Sequence, residues 1–169
     1  MFSAGDTIVH KRYGAGTVIG IRKMERKGQE CQYLGVEMID NAGTLMIPED
    51  QLEEDDMRPA LTDTRLIKEI LFKEPEELTD HHRSRQMTIE EKLSTHDPRK
   101  VTQVLRDLCW RQHITKLTTT DMRLKKSAFT LLMQELMLNS AFTLTKAEQR
   151  LDNLIDQAMA HHQGVTEAS

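Results

Sequence analysis

The apolar residues of this chain change their period once, near Pro59, and that change limits the fold more than any single motif does. Before it, apolar and polar residues alternate over short runs bounded by glycine: Thr7 to His10, Gly14 to Ile21, Gln32 to Ile39 and Gly43 to Pro48. After it, Leu66, Ile67, Ile70 and Leu71 open a series spaced by three and four, which is a helical period. Strands followed by helices, without alternation of the two, define an α+β chain. Two units are expected, residues 1–58 and 59–169, each small for its 169-residue total.

The first unit reads as four or so strands in about fifty residues, which points to a compact SH3-like or Tudor-like β barrel. Gly14 and Gly16 lie in its first hairpin, where a reversal favours residues that accept positive φ. Arg26-Lys27-Gly28 and Asp40-Asn41-Ala42-Gly43 supply the next turns. Ile8, Val18, Ile21, Leu34, Val36, Leu45 and Ile47 are the expected core. Glu53-Glu54-Asp55-Asp56 and then Arg58-Pro59 read as an acidic connection, with proline stopping any strand. An exposed strand edge could pair with a partner's backbone. Phe2, Tyr13 and Tyr33 are thin material for an aromatic cage around methylated lysine.

In the second unit about five helices are expected, near residues 66–71, 80–93, 98–113, 119–138 and 146–161. Thr62 or Asp63 can cap the first, Asp97 ahead of Pro98 the third, and Thr118 with Asp121 the fourth. Thr145 with Glu148 has the form of a capping box for the fifth, and the tail after Gln163 is expected to fray. On a wheel of the third helix, Val104, Leu105 and Leu108 cluster with Val101, while the only tryptophan, Trp110, falls about 180° away, close to Arg99 and Arg106. Two readings stay open for it. A neighbouring helix covers Trp110, or it stands exposed between two guanidinium groups, fit to stack on a base or grip a protein.

Charge narrows the function. Residues 1–58 hold seven Lys or Arg against eleven Asp or Glu, so the formal net charge of -4 lies there, and the rest is neutral with sixteen of each sign. Within the neutral part, Arg99, Lys100, Arg106, Arg111, Lys116, Arg123, Lys125 and Lys126 face only Asp107 and Asp121. A local basic surface on an acidic protein implies weak DNA binding made useful by a second attachment. No catalytic residue is assigned, because no carboxylate pair, no nucleophile with a base and no dinucleotide fingerprint is present. Scattered histidines lack ligand spacing, and neighbours such as His81 and His82 point about 100° apart on a helix, so neither metal nor cofactor is expected. Cys31 and Cys109 fit no disulfide framework or zinc site. No run is long enough to span a bilayer and no leader is evident, so a cytoplasmic chain with no membrane partner is expected.

The Gly5-Asp6 pair, the alternating strand after it, the turn ending in Gly16 and the later Met46-Ile47-Pro48 resemble the start of the CarD/CdnL family of bacterial RNA polymerase-binding regulators. The same module is similar to the polymerase-interacting domain of transcription-repair coupling factors. Val104-Leu105-Arg106-Asp107-Leu108 resembles that family's Val-Val-Arg-Asp-Leu. The resemblance implies a barrel docked on the polymerase β subunit through residues matching Met24, Arg26, Thr44 and Met46. It also implies a helical domain that reaches promoter DNA at the upstream edge of the bubble and stabilises the open complex. Aligned without gaps, the family's Trp-x-Arg-Arg-Tyr wedge falls on His82-Arg83-Ser84-Arg85-Gln86, so His82 stands where the tryptophan would be. An imidazole has less apolar surface with which to unstack bases. His82, Arg83, Arg85, Trp110, Arg123, Lys125 and Lys126 are thus the DNA-facing candidates, with mostly phosphate contacts. The implied protein is a non-enzymatic monomer of the bacterial cytoplasm, brought to the nucleoid by polymerase. The alternative is a polymerase-bound protein–protein adaptor without a DNA wedge.

Overall fold

The computed structural model describes residues 2–40, 43–52 and 56–168. Five strands, β1 (Thr7–His10), β2 (Gly14–Arg26), β3 (Gln29–Met38), β4 (Thr44–Pro48) and β5 (Met57–Pro59), precede five helices. These are α1 (Arg65–Leu71), α2 (His82–Ser94), α3 (Pro98–Ile114), α4 (Thr119–Met137) and α5 (Leu144–Glu167). The α+β reading therefore holds, with a sheet first and helices after it.

The sheet is antiparallel throughout, in the order β4-β3-β2-β1-β5. Leu45 from one edge strand and Met57 from the other pack against the same cluster of Ile8, Val18, Leu34, Val36 and Met38, so the sheet curls round one small core. Its bend has a local cause: the β2–β3 register shifts between Val18 and Gly20, and Gly20 has φ +112. Lys27 and Gly28 have φ +53 and +77, which is the left-handed pair that a two-residue hairpin turn requires.

Three expectations need correction here. Ile21 lies opposite Leu34, on the core side, but is half exposed because the β2–β3 ribbon runs on past the core. Gly16 is not a positive-φ residue; it sits in β2, where a Cβ would meet Glu37 O and Val36 Cγ1 at 2.7 Å. Arg58 and Pro59 belong not to a connection but to β5, which Pro59 ends, opposite Ile8 on an edge where its missing N–H leaves no ladder bond unmade. Asn41 and Ala42 of the third turn, and Glu53, Glu54 and Asp55 of the acidic connection, lie outside the described residues.

The helices surround one core built from Ile67, Leu71, Ile89, Val104, Leu105, Leu108, Leu132, Leu136 and Leu151, among others. Helix starts follow local chemistry. Asp97 accepts from Arg99 N with Pro98 at the first turn, and Thr118 and Asp121 form the full reciprocal capping box. Asp63 accepts from Arg65 N although Thr64 is the N-cap of α1. Helix α5 starts two residues earlier than expected, because Thr143 rather than Thr145 is its cap, accepting from Lys146 N. It also runs to Glu167 without fraying at Gln163, since His162 is buried with Nε2 2.7 Å from Leu71 O. Among the described residues no helix is long and apolar enough to cross a membrane.

Candidate functional site

Two faces carry the residues singled out from the sequence. The first follows from strand register, because residues directly opposite in an antiparallel ladder point to the same side. Val18, Ile21, Leu34, Val36, Leu45 and Ile47 share the inner side, as the pairings Val18↔Val36, Ile21↔Leu34, Val36↔Leu45 and Leu34↔Ile47 require. Met24↔Cys31, Arg26↔Gln29, Gly35↔Met46 and Glu37↔Thr44 then fall on the outer side. All four docking candidates, Met24, Arg26, Thr44 and Met46, thus occupy one outer face across β2, β3 and β4. Met24 is half exposed, Arg26 and Thr44 are exposed, and Met46 is partly buried. Between them lie Cys31 and Tyr33, which the sequence reading did not single out; strand alternation alone would have placed them there. Gly35 is required at the centre of this face, since Ile19 Cγ1 lies 2.7 Å from where a Cβ would be.

The second face is the seam between the start of α2 and the start of α4. His81 is the N-cap of α2, its ring accepting from Ser84 N at 3.2 Å. Because His81 precedes the helix, its ring does not diverge from that of His82 as two helical neighbours would; the rings stack, 5.8 Å apart and 14° from parallel. His82 and Arg83 are exposed. Arg123 approaches Glu90 of α2 at 3.5 Å, two turns beyond Arg83, so Arg83 and Arg123 share the seam. Met87 and Met122 are exposed apolar side chains on these two helices, and only their exposure, not their spacing, marks them.

Several expected DNA contacts have other partners. Arg85 is 3% exposed and gives Nε and Nη2 to the two oxygens of Asp121, at 3.2 and 2.8 Å, and Nη1 to Thr79 O. Burial pushes the Asp121 carboxyl up, but hydrogen bonds from Arg85 and Thr118 outweigh it and hold it below the usual carboxylate range. Arg85 therefore fastens α2 to the capping box of α4 and does not present its guanidinium to solvent. Arg106 is likewise buried, bonded to Asp107 Oδ1 at 2.7 Å. Burial raises the Asp107 carboxyl despite that partner.

Trp110 is half-buried against the helical core, edge-on to His162 at 5.9 Å, so of its two readings the covered one describes its surroundings. Arg111 reaches Asp80 and Leu78 O, and Lys125 gives Nζ to Gln112 at 2.6 Å. Lys125 and Lys126 line a groove whose α5 side carries Glu148, Asp152 and Asp156, away from the α2 seam and beside carboxylates. The basic surface expected between Arg99 and Lys126 is thus divided: Arg106 is internal, Arg111 is tethered, and Lys125 and Lys126 line a mixed-charge groove. Buried in the same region, the Cys109 thiol is pushed up to about 11 and is not a nucleophile at neutral pH. Among the described residues no cluster of three His, Cys, Asp or Glu side chains could hold a metal.

The candidates therefore fall on two separate faces, the outer side of β2, β3 and β4 and the α2–α4 seam. Comparison with known proteins gives the class. Residues 2–61 match the CarD-like/TRCF RID domain, and residues 67–152 match the CarD C-terminal domain. A Bacillus subtilis (strain 168) protein named "Putative transcription factor YdeB" is 27% identical over 139 residues, which cover 80% of this chain and 90% of that protein. The chain belongs to the CarD-like family of transcription regulators. The last turns of α5 extend beyond the matched residues.

Proposed function

We propose that this protein regulates transcription by binding the β subunit of RNA polymerase through the outer face of β2, β3 and β4, and by contacting promoter DNA through the α2–α4 seam. The observation that carries this reading is the register, which gathers Met24, Arg26, Thr44 and Met46 on one side of a sheet whose β4 edge pairs with no further strand among the described residues. A partner strand can add to such an edge while side chains on the outer face set specificity. On the helical side, His82, Arg83 and Arg123 make phosphate contacts, with Arg85 holding α2 in place behind them. Residues 1–58 anchor and residues 59–169 act, in a monomer working in the bacterial cytoplasm at the nucleoid. Anchoring makes the DNA encounter intramolecular, so a weak contact shifts open-complex occupancy; about 1.4 kcal/mol changes it tenfold.

The second reading is a polymerase-bound adaptor. It is favoured by one observation, the burial of Arg85, which removes a cation from the DNA-facing set. The test is a binding assay with the polymerase β lobe followed by open-complex lifetime on a promoter. Met24→Asp is expected to weaken lobe binding at least tenfold, and Arg83→Ala with Arg123→Ala to shorten the lifetime with binding intact. Absence of lobe binding by the wild type rejects both readings. Binding without any effect on lifetime leaves the adaptor.

A further inference from the structure

Among the described residues the sheet and the helices meet through a polar junction at Arg58, Glu135 and His96. Arg58 on β5 gives Nη1 to Glu135 Oε1 at 2.5 Å and Nη2 to Oε2 at 2.9 Å, a forked pair with the carboxylate almost wholly buried. The same guanidinium donates to His96 O at 2.7 Å and to Pro59 O at 3.1 Å. Glu135, on α4, also accepts from Leu61 N at 2.7 Å. His96, in the loop between α2 and α3, closes the junction from the other side with Nδ1 2.6 Å from Lys11 O in the β1–β2 turn. A carbonyl only accepts, so Nδ1 carries the proton. His96 does this from φ +51, a conformation unusual for any residue but glycine.

Apolar packing between the two halves is small by comparison: Val9, Ala15 and Ala60, with Ile39 and Leu138 beside them. Domains joined by small contacts move relative to one another by default. What resists motion here is directional. A forked guanidinium–carboxylate pair fixes angle as well as distance, and here the carboxylate side is buried although the Arg58 side chain remains partly exposed.

We propose that Arg58, Glu135 and His96 form a latch that holds the docking face of the sheet and the α2–α4 seam in one fixed orientation. They are positioning residues: the docking face lies on β2, β3 and β4, at the far side of the sheet from β5, and the seam lies at the opposite end of α4 from Glu135. The strained backbone at His96 and the buried charge at Glu135 are both retained where the two halves touch, at neither face. The consequence for transcription rests on the function proposed above, whereas the latch itself does not.

The test uses the full chain and two variants. Glu135→Gln removes the charge and keeps the shape. His96→Gly relieves the positive φ and keeps the carbonyl that Arg58 uses, but deletes the ring bond to Lys11, so it loosens the latch without straining the fold. The first readout is rotational correlation time from amide nitrogen relaxation, taken separately over sheet and helix residues. The wild type is expected to give one value for both, and each variant two shorter, different values. The second readout is polymerase binding against open-complex lifetime: binding within twofold of wild type, with the lifetime extension reduced about tenfold in Glu135→Gln. One common correlation time in both variants overturns the latch, and a full lifetime extension from a variant whose halves tumble apart overturns its consequence for transcription. If the wild type binds no polymerase, the proposed function fails, and the relaxation result still decides the latch.

Discussion

The two halves of the molecule handle polar side chains in opposite ways. Among the described residues, the sheet half buries one polar side chain, His10, while the helical half buries Thr64, Arg85, Thr102, Arg106, Asp107, Asp121, Glu135 and His162. The sheet leaves its charges outside, where Arg22, Lys23 and Arg26 stand on an exposed ribbon. The bundle takes arginines inside and pairs them. A guanidinium can be buried if its donors are met by a carboxylate and carbonyls, and both meet that requirement, Arg85 through Asp121 and Thr79 O, Arg106 through the adjacent Asp107 and Ile70 O. The difference shows that a run of bases in a sequence measures charge, not surface.

Breaking Asp121 tests this contrast most severely. Asp121→Ala leaves Arg85 buried without its anion and also removes half of the α4 capping box. Losing one partner of a buried pair costs about 3–5 kcal/mol. Denaturant unfolding followed by the single Trp110 is expected to show that loss. Arg85→Met combined with Asp121→Leu is expected to recover most of it, because no uncompensated charge remains. If Asp121→Ala costs under about 1 kcal/mol, the range of an ordinary neutral hydrogen bond, the pair is not the staple that its burial indicates.

The contrast also explains what could be read from the residues in order. The change of period near Pro59 gave the class and the helices nearly to their ends, because periodicity and caps such as Asp97 and Thr118 are local. The outer sheet face was legible once register was known, but register depends on the bulge at Gly20, which no short window reveals. The fates of Arg85 and Arg106 were not legible at all. Arg85 pairs with Asp121, 36 residues away, and Arg106, although it bonds the adjacent Asp107, is buried where its Nη1 donates to Ile70 O of α1, so the same guanidinium would read as exposed or buried according to contacts that only the fold creates. Trp110 was ambiguous for the same reason, since its cover comes from α5.

In the sheet half the largest effects should come from backbone approach, not charge. Gly16→Ala would drive a Cβ to 2.7 Å from the Glu37 carbonyl, where backbone has to move. Overpacking of this kind costs about 1–3 kcal/mol. Gly28→Ala at the hairpin tip meets nothing within 4 Å, and only its φ of +77 penalises it, so about 1 kcal/mol is expected. Equal melting shifts for the two variants would show that the close approach at Gly16 has no energetic weight.

The one polar residue that the sheet buries makes a smaller, pH-dependent contribution. His10 Nδ1 accepts from Arg12 N at 3.0 Å and Tyr13 N at 3.3 Å, so it must be unprotonated in this turn. Burial lowers its pKa from the ordinary 6.5, although Asp56 pulls the other way. The unfolded chain therefore takes up the proton first as pH falls. Stability from His10 is complete above about pH 6.5 and declines below it until the folded form also protonates, with a slope of at most about 1.4 kcal/mol per pH unit. Denaturant midpoints measured between pH 7.5 and 5 should fall for wild type and fall less for His10→Asn. Identical pH profiles for the two proteins would assign the acid sensitivity elsewhere.

The smallest expected change in stability belongs to Arg83, and it is the one that separates the two kinds of arginine most cleanly. Arg83 and Arg85 are two positions apart on α2, yet one is exposed and the other is 3% exposed and forked onto Asp121. Arg83→Ala should change stability by under about 0.5 kcal/mol, as surface substitutions do. Its effect should appear instead in DNA binding by the polymerase-bound protein, as a uniform weakening across sequences and a salt dependence shallower by about one counterion. Arg85→Ala should do the reverse, costing several kcal/mol of folding while leaving the salt slope of whatever remains folded unchanged. A salt slope altered by Arg85→Ala and not by Arg83→Ala would invert the assignment, and would mean that α2 releases Asp121 when DNA arrives.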